Sequence, residues 1–203
     1  MPFGYFGAKH GLARFYPPPR HSVVIEPFAG AAGYASYWAR VGRVHHAILI
    51  DKNPDLIALW HRLQKMDARD IEQIECPPKG TSIRDPLIAS ASGQQGMSVL
   101  RGCPRKITDR MIIGWNGYLK RRIAGTVPYI KTWDIRHGGY KSAPDVVATW
   151  FIDPPYMSRM GDNKAGEKTA GGFSYKKDTK LDMTIDYDDL ARWCRSRRGL
   201  VIV

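Results

Sequence analysis

Asp153, Pro154, Pro155 and Tyr156 stand together in the stretch ATWFIDPPYMSR, and their types can act as one chemical unit. Proline fixes its own φ, lacks an amide donor and pushes the preceding residue into extended geometry. Asp153 can therefore neither start a helix nor wander. The strand formers Thr149 to Ile152 end there, delivering a carboxylate, a carbonyl and an aromatic ring to one strand tip. A carboxylate and a carbonyl side by side can accept both hydrogens of an amine, and the ring offers a stacking face. The same four residues also suit a plain strand-ending turn, since Asp and Pro are ordinary turn residues.

A second group lies upstream in SVVIEPFAGAAGYASYWARVG. A short buried strand, Ser22 to Glu26, leads into a turn at Pro27 and Phe28, and Gly30 and Gly33 allow a ligand or helix to approach the backbone. The spacing is not GxGxxG, so a nicotinamide cofactor lacks its usual fingerprint here. The following unit, ILIDKNPDLIALW, puts Asp51 at the next strand tip, about 20 residues after Gly30, where an acid can accept from both hydroxyls of a ribose. Capping the next helix is the other use of an acid there. Glu26 bears on the charge of the ligand. A diphosphate avoids a nearby carboxylate, whereas S-adenosylmethionine carries no phosphate and brings an ammonium and a sulfonium.

These residues need a frame. A helix is expected from about Gly33 to Arg40, ended by Gly42, and a second strand over Ala47 to Ile50. Asn53 can cap the next helix, Pro54 suits its first position, and Leu56, Leu59, Trp60 and Leu63 recur with helical spacing. Two successive β-α units with apolar strands imply a parallel sheet covered by helices. The N-terminal stretch predicts an irregular loop with one helical turn around His10 to Phe15. After Ala68 the rhythm breaks into Pro-, Gly- and Ser-rich irregular chain. One or two short helices around Asp109 to Ile123 and a strand near Tyr129 to Trp133 are expected next. Gly161 to Lys180 predicts a mobile loop beside the Asp153 tip, YDDLARWCRSRRG a helix, and LVIV the start of a buried strand, with a missing C-terminus or a fold completed elsewhere as the two expectations.

The chain has 203 residues, 43% of them hydrophobic and 25% charged, which suits one globular domain. Its 31 Lys and Arg against 19 Asp and Glu give a net charge of +12, which points to a polyanion partner or to a basic solvated face. Arg101, Arg105, Lys106, Lys120, Arg121 and Arg122 are the clustered bases that phosphates would meet. No apolar run reaches the roughly 20 residues a bilayer needs, and the first 20 residues lack a signal-peptide core, so an intracellular protein without a membrane partner is expected. Cys76, Cys103 and Cys194 have no CxxC spacing, and His45 and His46 are adjacent without further ligands at suitable spacing, so neither disulfides nor a metal is expected.

Taken in order, FGYFGAKHGLARFY, IEPFAGAAGYASYW, ILIDKNPDLIALW and ATWFIDPPY resemble the motifs of Dam-like DNA adenine N6-methyltransferases. The resemblance covers most of the chain and is weakest from Ala68 to Ile123. It implies a Rossmann-like methyltransferase fold: a single domain over 1–203, mostly parallel sheet with helices on both faces, and a small basic target-recognition region inserted at about 68–128. It implies S-adenosylmethionine as cofactor, S-adenosylhomocysteine as product, no metal, and methyl transfer to N6 of a flipped adenine in double-stranded DNA. Cytosine N4 is the alternative target, and a catalytically impaired DNA-binding protein of the same fold the alternative role. Tyr5 and Lys9 match cofactor contacts of the first motif, with Ala8 in place of its second glycine. Glu26, Phe28, Gly30, Gly33, Asp51 and Asp153 complete the implied cofactor set, and Asp153, Pro154, Pro155 and Tyr156 the catalytic one. The family's acid for the cofactor adenine is absent from HGGY at His137 to Tyr140, which leaves Asp134 or a backbone amide for that role. A monomer, with a dimer as the alternative, in the cytoplasm of a bacterial or phage-infected cell is the accompanying expectation.

Overall fold

The computed structural model describes residues 3–4, 9, 11–90, 106–155 and 185–203. Strands β1 (Val23–Glu26), β2 (His46–Asp51), β3 (Asp134–His137), β4 (Ala148–Phe151) and β5 (Gly199–Ile202) form one sheet in the order β3-β2-β1-β4-β5. Every pairing is parallel, with Ile25 of β1 opposite Ile48 of β2 on one side and Trp150 of β4 on the other. Helix α1 (Gly33–Arg40) connects β1 to β2. The connection from β2 to β3 carries α2 (Pro54–Lys65), α3 (Ala68–Gln73), α4 (Pro86–Ala89), α5 (Asp109–Gly114), α6 (Lys120–Ala124) and α7 (Val127–Ile130). A π-helical turn, Trp115–Leu119, joins α5 to α6, and α8 (Tyr187–Arg195) precedes β5. This is an α/β, Rossmann-like architecture.

The inner strands β1, β2 and β4 are buried on both faces, which explains their near-continuous apolar sequences. The edge strands β3 and β5 bury one residue each, Ile135 and Ile202, so the buried strand expected at LVIV is only partly buried. Alternation divides the strands' side chains between two cores. Val24, Leu49 and Phe151 enter the larger core with Leu56 and Trp60 of α2. Ile25, Ile50 and Trp150 enter the smaller one with Leu190 of α8, and Trp150 meets the Trp193 ring edge-on at 5.5 Å. The described parts of the β2–β3 connection join the larger core through Ile71, Leu87, Met111, Trp115 and Ile123.

Two local expectations need correction. The strand expected near Tyr129 to Trp133 is helix α7 followed by a turn, and β3 begins at Asp134. Pro128 in the first turn of α7 starts that helix, and Trp133 is buried by packing rather than by pairing. The irregular stretch after Ala68 contains α3 and α4, each capped by an aspartate: Asp67 accepts from the Asp70 amide and Asp85 from the Leu87 amide.

Asn53 caps α2 as its position suggests, accepting from the amides of Asp55 at 3.0 Å and Leu56 at 3.3 Å. Asn53→Ala is expected to cost about 1 kcal/mol of unfolding free energy in urea titration, and an unchanged midpoint would show the cap to be dispensable. Among the described residues no helix is long and apolar enough to cross a membrane.

Candidate active site

The chain leaves β1 toward β2 and β3 on one side, then returns to place β4 on the other side of β1. The strand order therefore reverses between β1 and β4, and in open parallel sheets ligands bind outside the carboxyl ends of the strands at this reversal. Glu26 ends β1 there, and Asp153 lies just past the end of β4.

Three acids share one side of this edge. Val24, Leu49 and Phe151 face the larger core, so the residues two further on, Glu26, Asp51 and Asp153, project to the same side at the strand tips. Each acid is held differently. Asp153 is bridged by the Lys9 ammonium, which lies 2.9 Å from both carboxylate oxygens. Asp51 accepts from the Gly30 amide at 3.0 Å and the Asn53 amide at 2.9 Å, while burial pushes its pKa upward against those two bonds. Glu26, only 2% exposed, accepts from the Ala35 amide in the first turn of α1 at 2.6 Å. Burial pushes its carboxyl up to about 8; that amide opposes the shift, the charge of Asp153 adds to it, and the positive charge of the amino terminus opposes it weakly.

The loop between β1 and α1 is fastened to its surroundings. Gly30 has φ 49°, a left-handed value that glycine adopts without penalty. Its carbonyl accepts from the Trp60 indole at 3.0 Å, and the Ala29 amide donates to the Ile50 carbonyl at 2.9 Å. Ala32, at the N-cap of α1, has φ 45° despite its Cβ, a local strain of the kind that collects at ligand-binding turns. Gly33 is the first residue of α1, and its neighbour Tyr34 stacks on Phe151 of β4 at 4.7 Å with the rings 6° from parallel. The α1 entrance is thereby locked to the strand that carries Asp153.

The N-terminal segment brings Lys9 to this edge. Phe3 packs on Trp60 with centroids 5.1 Å apart, on the flank of the Gly30 loop. On the opposite flank, the Arg20 and His21 amides donate to the Thr149 hydroxyl of β4 at 3.0 and 3.2 Å, and Tyr16 meets Phe151 edge-on. The Asp153 tip is itself anchored: the Ile152 amide donates to the Ile202 carbonyl of β5 at 2.8 Å, and the Tyr187 hydroxyl donates to the Pro155 carbonyl. Among the described residues nothing donates to the Pro154 carbonyl, so that acceptor remains open beside Asp153.

No family model matches the chain, and no curated protein does. The function must be argued from the geometry.

The structure brings Lys9, Glu26, Gly30, Gly33, Asp51, Asp153, Pro154 and Pro155 to one edge of the sheet. Phe28 lies on the other side of that edge, its ring 5.6 Å from Tyr140, whose hydroxyl bonds Asp189. Asp134 is not part of the group. It begins β3 at the amino end, opposite the strand tips, and is closed by an ion pair with Arg136. Tyr5, Tyr156, Arg101, Arg105 and the loop from Gly161 to Lys180 lie outside the described residues.

The remaining bases do not form one patch. Lys120 donates to the Glu72 carbonyl, Arg121 to the Gly117 carbonyl, and Arg122 lies against the Tyr118 ring at 4.8 Å. Burial lowers the Arg122 pKa and the charge of Arg40 lowers it further. Arg40 is the last residue of α1, which runs away from the Glu26 edge, so Arg122 faces the end of the molecule remote from Asp153. Lys106 is exposed beside Ser82, which it meets in an isolated antiparallel bridge. Sequence reasoning named Glu26 but missed Tyr187. Tyr187 carries no spacing signal, whereas the Glu26 environment was foreshadowed by an acid two residues after a core valine. Among the described residues no group of three or more His, Cys, Asp or Glu could hold a metal ion.

Proposed function

We propose that the chain is an S-adenosylmethionine-dependent DNA methyltransferase acting on N6 of adenine. The observation that carries this reading is Asp153 on its Pro-Pro tip beyond the strand reversal, with the Pro154 carbonyl beside it unmet by any donor among the described residues and two further acids on the same edge. The protein groups fit the cofactor. A buried Glu26 that pairs with no Lys, Arg or His among the described residues suits a positively charged ligand, and Asp51, already aimed by two amides, keeps a second lone pair on each oxygen for a ribose. S-adenosylmethionine, when bound, supplies the methyl group. A dinucleotide would instead bring diphosphate to the Glu26 carboxyl, which disfavours it.

Asp153 and the Pro154 carbonyl would each accept one hydrogen of the exocyclic amine. This bends the amine from its planar, ring-conjugated form, so that its lone pair becomes available for in-line attack. The positive charge that develops on nitrogen falls beside the Asp153 carboxylate, which stabilises it. Lys9 bridges both Asp153 oxygens, so the arriving amine shares the carboxylate with Lys9 through the lone pairs that remain. The Tyr187 hydroxyl keeps the Pro155 carbonyl from swinging into the pocket. The target base must leave the duplex to reach this edge, and Tyr156 supplies a stacking ring in the family resemblance. The net charge of +12 supports a DNA partner.

Purified protein incubated with labelled S-adenosylmethionine and duplex DNA is expected to yield N6-methyladenine on nucleoside digestion. N4-methylcytosine would move the target to the other exocyclic amine. Cofactor binding with no transfer to any DNA would identify a binding protein instead.

A further inference from the structure

Of the three acids at the strand tips, two have their charge answered: Asp153 by Lys9, and Asp51 by two backbone amides. Glu26 has neither arrangement. Its one side-chain bond is to the Ala35 amide, and among the described residues no Lys, Arg or His lies within ion-pair distance of it. The groups facing it are Tyr34 of α1, Asp153 with its Lys9 partner, and the positive charge of the chain's amino terminus, the smallest of the influences on Glu26 and too weak to offset its burial. Tyr34 is held neutral, its own pKa pushed upward first by burial and then by Glu26. An ionised carboxylate cannot sit unanswered in such surroundings, so it keeps a proton or acquires a cation.

We propose that Glu26 is a proton-exchanging cation seat: it holds a proton while the pocket is empty and releases that proton to solvent when a cationic sulfonium nucleoside binds. The carboxylic O–H bond breaks, the proton leaves to buffer, and the carboxylate left behind faces the positive charge of the ligand. The charge faced is the sulfonium: the demethylated thioether product has lost it and keeps only an ammonium balanced by its own carboxylate, so the proton has no reason to leave. The site thereby distinguishes substrate from product by charge, weakening the hold on the product after transfer. This inference rests on the methyltransferase reading and adds a determinant of cofactor specificity to it.

With the carboxyl near 8, about nine-tenths of Glu26 is protonated at pH 7. Calorimetric titration of the full chain at pH 7 with S-adenosylmethionine, in two buffers of different ionisation enthalpy, is expected to show release of close to one proton. S-adenosylhomocysteine should release far less. The affinity for S-adenosylmethionine should rise about tenfold per pH unit below 8 and level off above it, while that for the product stays nearly flat. Glu26→Gln keeps an acceptor for the Ala35 amide; it should abolish the proton release, weaken S-adenosylmethionine binding about tenfold or more at pH 8, and leave product binding within about threefold. Substrate binding to the wild-type protein without proton release, or release that persists in the Gln variant, would overturn the inference while leaving the methyltransferase reading standing. If neither nucleoside binds, both the reading and the inference fall.

Discussion

Asp153→Ala is expected to lower the single-turnover rate of methyl transfer by about a thousandfold or more, with S-adenosylmethionine binding weakened by no more than about tenfold. The side chain is placed to hold the amine and to answer the charge that grows on it, so its removal acts on the transition state more than on the ground state. Alanine also leaves the Lys9 ammonium, 13% exposed, without the carboxylate it bridges. Some loss of stability should therefore accompany the loss of rate, and unfolding measured in parallel separates the two. Asp153→Asn keeps an acceptor oxygen at nearly the same place and loses the charge. It should fall between wild type and alanine, at about a hundredfold loss, if geometry and charge both contribute. A wild-type single-turnover rate in the alanine variant would remove Asp153 from the reaction.

Much of the frame that positions Asp153 was legible in the residues. The apolar runs of β1, β2 and β4 are bounded by unmistakable turn residues, and Asn53 with Pro54 marks the start of α2 by two independent devices. The edge strand β3 was misplaced by five residues for a physical reason. YIKTW is rich in strand formers, but Pro128 nucleates a helix in front of it, while the true strand, DIRH, has one fully buried side chain, Ile135, and so lacks an alternating pattern. The strand order was beyond the sequence, because it depends on which apolar faces meet rather than on any local preference. Lys120, Arg121 and Arg122, adjacent in the sequence, take three separate partners for a related reason. Consecutive residues on a helix point about 100° apart, and these three end at Glu72, Gly117 and Tyr118. The alternation that places Glu26, Asp51 and Asp153 on one side was present in the chain from the start, each acid standing two residues beyond a core side chain. Only the structure tells that, among the described residues, Lys9 bridges Asp153 while no Lys, Arg or His meets Glu26.

That difference has a second consequence, for stability. Glu26→Gln is expected to make the protein progressively more stable than wild type as pH rises from about 5 to 8. The folded carboxyl titrates near 8 and the unfolded one near 4.5. Between those values the native chain holds a proton that the unfolded chain has released, so wild-type stability falls with rising pH. The contribution of the neutral carboxyl is fully present below about 4.5 and gone once pH passes 8. A separation of about 3.5 pH units corresponds to roughly 5 kcal/mol at most. Glutamine has no proton to lose, and it preserves the acceptor at Ala35, so the two proteins should be nearly equal at pH 5. Urea unfolding across pH 5 to 9 measures the difference directly, since every other titrating group is common to both. The gap should widen through pH 7 and become constant above 8; parallel curves would mean that Glu26 ionises in the folded protein as it does in the unfolded one. Saturating S-adenosylmethionine at pH 8 should then narrow the gap, by about 1.4 kcal/mol for each factor of ten in affinity between the two proteins. A ligand that binds only the native state stabilises it by its own binding free energy, and the wild-type protein, holding the tighter site, gains more than the variant.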